Sequence, residues 1–177
     1  MRELDWINWW AMPWEKALPE WWPPMLKAMS PEQLNTVNIV SPDSFLGAFD
    51  IRASFPDKPN NLVLRLVSMK AEEWTLLHLL CQAACAPSKP SSLAAEQRVW
   101  CERFAKGVRP GRWLNEGDDP FLLLKLWLDE PVWERVRLVM PRKQALSLEH
   151  LLPAEEPSQR QLRIFWESLI WRVLGTE

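Results

Sequence analysis

Tryptophan supplies thirteen of the 177 residues, tyrosine none, and six of the tryptophans fall within the first 22 positions. Each indole can bury about 200 Å², so at ~25 cal/mol per Å² hiding one from water contributes roughly 5 kcal/mol as an upper bound. Trp6, Trp9, Trp10, Trp14, Trp21 and Trp22 must therefore be covered, either by the chain's own core or by a partner. Any fold for this chain has to bring that cover to a segment broken by Pro13, Pro19, Pro23 and Pro24, which admits only short helical pieces.

Sixteen prolines against five glycines point to helices with sharp ends and few flexible hinges. Ser30-Pro31-Glu32-Gln33 is a capping box with proline at the first helical position, opening a helix to about Ile39. Ser41-Pro42-Asp43-Ser44 starts another brief turn, and Phe55 to Pro59 is a loop. Leu62 to Val67 fits strand or helix. A central buried helix is expected over about Lys70 to Ala86, then one over Leu93 to Lys106 with Gly107 as its C-cap. Asp119-Pro120 caps a segment from Phe121 to Leu128, and Pro131 opens another to Met140. In the last helix Leu162, Phe165, Trp166, Leu169, Ile170 and Val173 recur at three and four residues, and Gly175 stops it. The sum is an all-α chain of roughly eight helices in helix-on-helix layers. Its expected organisation is a Trp/Pro-rich segment over residues 1–29, packed on or docking from a compact helical domain over 30–177. Among the later tryptophans, Trp74, Trp100, Trp127, Trp133, Trp166 and Trp171 fall in helices and most are expected in the core, while Trp113 is undecided.

The charge balance narrows the function. At a net charge of −2 and a pI near 5.8 the chain lacks the basic surplus with which proteins displace counterions from nucleic acid. Three cysteines without dense spacing do not make a secreted disulfide scaffold. Met1 to Asp5 contains acids and no apolar leader core, so no signal peptide is expected. The uncharged run from Trp74 to Ser88, fifteen residues, is too short and too polar to span a bilayer. A soluble cytoplasmic protein is the expectation.

No catalytic constellation emerges. His78, Cys81 and Cys85 share a helix face that Cys101 would extend to four zinc ligands, but structural zinc sites use closer cysteine spacing, so buried apolar thiols are the preferred reading. His78 and His150 are the only imidazoles, no G-x-S-x-G turn accompanies them, and adjacent acid pairs sit at helix starts or in loops. A non-enzyme without cofactor or metal is expected. Residues 97–113 carry Arg98, Arg103, Lys106, Arg109 and Arg112 against the single acid Glu102. A solvated helix face explains that run, and if it binds anything an acidic protein face fits best. The Trp-rich start is too anionic for a lipid surface, with Glu3, Asp5, Glu15 and Glu20 opposing Arg2 and Lys16. Candidate partner-binding residues are accordingly Trp9, Trp10, Trp21 and Trp22, with Arg103, Arg109 and Arg112.

Trp133 followed by Arg135-Val136-Arg137-Leu138-Val139-Met140-Pro141 resembles a stretch of the SctK family, the accessory proteins of the type III secretion sorting platform. Phe121 to Trp127 is similar to the family's apolar run, and a gap followed by the helix Gln159 to Leu174 corresponds further on. Upstream, Arg112-Trp113-Leu114 before an acidic loop and Pro19-Glu20-Trp21-Trp22-Pro23 also resemble it, and the similarity covers about residues 60–174. The length suits the HrpD-like members of Hrp-type systems. The resemblance implies an all-α adaptor at the cytoplasmic side of the inner membrane, joining the SctQ-type pod protein to the cytosolic domain of the SctD-type ring protein. It implies no cofactor and assigns no functional residue. Val136, Leu138 and Met140 alternate as in a strand, and the resemblance favours helix there. The alternative role is a helical secretion chaperone holding an apolar segment of an exported protein.

Overall fold

Proline sets the punctuation of this chain. Seven of its helical pieces, including the 3₁₀ turns, open with proline in the first positions. There the missing N–H costs nothing and the fixed φ is already helical. The computed structural model describes residues 2–175, and among these no strand occurs. In chain order the α-helices are α1 (Arg2–Ala11), α2 (Pro24–Lys27), α3 (Pro31–Val40), α4 (Pro42–Gly47), α5 (Asn61–Val67) and α6 (Ala71–Cys85). They continue with α7 (Ala95–Val108), α8 (Leu122–Trp127), α9 (Glu130–Val136), α10 (Arg142–Leu148) and α11 (Gln159–Leu174). The all-α expectation holds, with more and shorter helices than the eight read from periodicity. No described helix is long and apolar enough to cross a membrane.

The chain divides into two compact units, Met1–Ser68 with Asp129–Ser147, and Met69–Leu128 with Leu148–Glu177. Residues 1–29 belong to the first. There Trp6, Trp9 and Trp10, at helical spacing on α1, are 1%, 7% and 4% exposed. Trp14 packs edge-on against Phe45 at 4.6 Å and Trp22 against Phe49 at 5.3 Å. Further cover comes from the loop after α4, where Trp6 Nε1 donates to the Asp57 carbonyl and Trp10 Nε1 to the Ser54 carbonyl, and from the stretch between Trp133 and Pro141. That stretch is α9 followed by a 3₁₀ turn, Arg137–Val139, so helix rather than strand is what forms. The Arg135 guanidinium lies 4.0 Å over the Trp10 ring, and its Nε donates to the Trp10 carbonyl at 3.1 Å. Arg137 donates to the Asp50 carbonyl at 2.7 Å. Trp21 Nε1 donates to the Met140 carbonyl at 2.8 Å, and the Leu18 N–H to the Leu138 carbonyl at 2.8 Å. Glu134 accepts both the backbone N–H and Nε of Arg52, fixing the loop after α4. The two most unusual stretches of the sequence are thus two sides of one core.

In the second unit α6 packs against α7 and α11, and α11 also against α8. The α11 face that periodicity marks, Leu162, Phe165, Trp166, Leu169, Ile170 and Val173, is buried throughout. Ring contacts link Trp100 to Phe104, Phe104 to Phe165, Phe165 to Trp166, and Trp166 to Phe121. Trp113 is fully buried against Phe165. The later tryptophans divide: Trp133 and Trp166 are core, Trp74, Trp100 and Trp127 are half-buried, and Trp171 is 46% exposed.

Candidate functional site

Two grooves of the second unit gather where α6 and α7 end. Pro110 removes the N–H that would extend α7 and pushes the residue before it out of the helical region. α7 therefore runs through Gly107 and Val108, and Arg109 closes it at φ 54°, ψ 50° with its N–H on the Ala105 carbonyl. The expected cap at Gly107 is corrected to Arg109. An L-residue in this left-handed conformation pays a steric cost that glycine does not. The 3₁₀ turn Pro110–Trp113 follows and docks its glycine on α6. A Cβ at Gly111 would stand 2.4 Å from the Cys85 carbonyl oxygen, so only glycine permits the approach.

A groove opens on each side of that contact. The larger, about 830 Å³, lies toward the loop Asn115 to Asp119, with Glu116, Asp118 and Asp119 on one wall and Lys89 on another. Asn115 pins this loop, donating to Asp118 at 3.0 Å and to the Leu152 carbonyl at 3.1 Å. The smaller groove, about 450 Å³, has buried Ala84, Ala105 and Pro110 for its apolar floor, and exposed Lys106, Arg109, Arg112 and Glu102 along its rim. Arg112 also meets Glu155 at 3.5 Å, with both side chains about half exposed, a geometry worth little in water.

The candidate residues separate accordingly. Arg109 and Arg112 come together at the smaller groove with Lys106. Arg103 is exposed on α7 but lines neither groove. Trp10 and Trp21 are core, covered by Arg135 and Met140, so they form no docking edge. Trp9 is 7% exposed and contributes only to the wall of a shallow groove between α1 and α5. Trp22 is half-buried and retains some free surface. Sequence reasoning missed the left-handed Arg109; Pro110 one residue on signals only that α7 must end there.

The thiols behave as core atoms. Cys81 and Cys101 are buried, and Cys101 Sγ lies 3.7 Å from the Leu80 carbonyl. Burial pushes both thiols up, Cys101 to about 11, which keeps them protonated at neutral pH. His78 stacks on Phe121 at 5.2 Å and bonds Gln82 at 2.7 Å. Among the described residues no three His, Cys, Asp or Glu side chains converge as a metal site. Compared with known protein families, with curated proteins and with solved structures, the chain matches none.

Proposed function

We propose that this chain is a non-enzymatic adaptor of a type III secretion sorting platform, of the SctK kind. In this role it joins an SctQ-type pod protein to the cytosolic domain of an SctD-type ring protein, in the cytoplasm beside the inner membrane. The observation that carries the reading is the stretch from Trp133 to Pro141, where the sequence resemblance is concentrated. Arg135 and Arg137, the polar residues of that pattern, are buried against tryptophans of the N-terminal segment. A pattern whose charged positions hold a core together is a pattern of fold, and fold is what an adaptor family would share. The grooved face of the second unit, with its cationic rim, is compatible with docking. Co-purification with the SctQ-type and SctD-type proteins of the same gene cluster tests the proposal, and failure with both overturns it.

The chaperone reading draws on a different observation. Ile39 and Val40 at the end of α3 are 71% and 77% exposed, and Phe55 is 95% exposed. Such surface would suit an apolar client segment. Changing these three residues to serine should abolish capture of an exported substrate if the chain is a chaperone, and leave pod and ring binding intact if it is an adaptor.

A further inference from the structure

The smaller groove of the second unit combines features that folding alone does not ask for. Its floor is apolar and its rim is cationic. Lys106 and Arg109 make no ion pair among the described residues, and Arg112 has only its long, half-exposed bridge to Glu155. Arg109 also occupies a backbone conformation in which glycine would fit without strain. Here the strained residue places a cation at the lip of the groove.

We propose that this groove binds an acidic segment of a partner protein, with an apolar side chain seated on the floor and flanking carboxylates on Lys106, Arg109 and Arg112. The inference rests on the adaptor reading and gives the chemistry by which one of its partners is recognised. Nucleic acid fits less well, because Glu102 shares the rim and the acidic loop Glu116 to Asp119 lies on the neighbouring groove. The acidic loop Glu116 to Asp119 of a second copy fits less well too. It runs directly into Pro120 and Phe121, both buried, and so has no apolar side chain to offer on that side.

The test uses the full chain and a fluorescein-labelled peptide of glutamates around a central Leu-Leu pair, read by anisotropy at low and physiological salt. The peptide should bind saturably, and more weakly as salt rises. Arg109→Gly with Arg112→Gln should weaken binding roughly tenfold, the sum of two rim cations. Arg109→Gly alone should keep or raise the thermal midpoint, which separates lost binding from lost folding. An all-glutamate peptide should bind less well than the one with leucines. The proposal is overturned by absent binding, by unchanged binding in the double variant, or by equal binding of the all-glutamate peptide. It is also overturned if a single-stranded oligonucleotide displaces the peptide, or if Arg109→Gly abolishes self-association while the peptide fails to bind. Peptide failure with intact co-purification removes the groove and leaves the adaptor; co-purification failure with intact peptide binding does the reverse.

Discussion

Arg135 sets chemistry most sharply against position. Its side chain is 1% exposed, and burial lowers its pKa to about 10 even though neighbouring Glu134 favours the charge. Because the native pKa lies below the unfolded value, the native state binds fewer protons between the two, so this group adds stability as pH rises through about 10. Below that it is a charged group held at a cost, offset by the Trp10 face and by two backbone carbonyls, of Trp10 and Pro131. Arg135→Ala should therefore cost about 3 kcal/mol in urea unfolding, since it leaves a void and two unmet acceptors. Arg135→Met fills the space without the charge and should cost distinctly less. Equal losses would mean that the cation itself is the stabilising element. Two glycines give a second contrast. Gly111→Ala must push against the Cys85 carbonyl and should cost about 1–3 kcal/mol. Gly107→Ala meets nothing within 4 Å, and as a helical position it should gain about 0.5–1 kcal/mol. Thermal unfolding of the two variants should move in opposite directions.

Helices α3 and α11 begin with the same chemistry and serve different ends. In each, a serine side chain accepts the N3 backbone N–H while a glutamine reaches back to the cap. Yet α3 buries no residue, whereas α11 buries six. Ser158→Ala should lower global stability by about 1 kcal/mol, because α11 forms only with the core it packs on. Ser30→Ala should leave the unfolding midpoint nearly unchanged and instead speed hydrogen exchange over α3. A global loss from Ser30→Ala would show that α3 is tied to the core more firmly than its exposure indicates. Both helices were legible in the sequence because cap and periodicity are local signals. The stretch Leu62 to Val67 was not, since six residues with apolar character on most sides satisfy either period. Asn60 decides it, accepting the N–H groups of Leu62 and Val63 and so starting a helix. The end of α7 departs from expectation for a similar reason: Gly107 is the usual stop, but Pro110, three residues on, carries the helix end to Arg109.

At the scale of the whole chain, the need to cover the opening tryptophans was legible, and the cover was not. Composition shows that an indole must be hidden. It does not show that Arg135 hides Trp10 from 125 positions away, or that Met140 accepts the Trp21 N–H from 119. No local pattern encodes such pairings, which exist only once the unit has closed. The same distance explains why the first four positions of the candidate site divided as they did. Composition leaves core and partner both open for Trp9, Trp10 and Trp21 because the residues over them are remote in sequence; the fold buries all three, and only Trp22 keeps some free surface. Removing residues 1–22 then becomes the decisive experiment on this half of the chain. A docking edge could be cut away with α4 and α9 still protected from hydrogen exchange. A core could not, because Phe45 and Phe49 would lose Trp14, and the faces that Trp10 and Trp21 cover at Arg135 and Arg137 would open to water. Each lost indole takes with it up to roughly 5 kcal/mol of burial, a large share of the 5–15 kcal/mol that holds an ordinary domain together. The expected outcome is collapse of protection over α4 and α9, with protection in α7 and α11 reporting the second unit separately. Retained protection over α9 would return the tryptophans to the surface and the N-terminal segment to the role of a detachable edge.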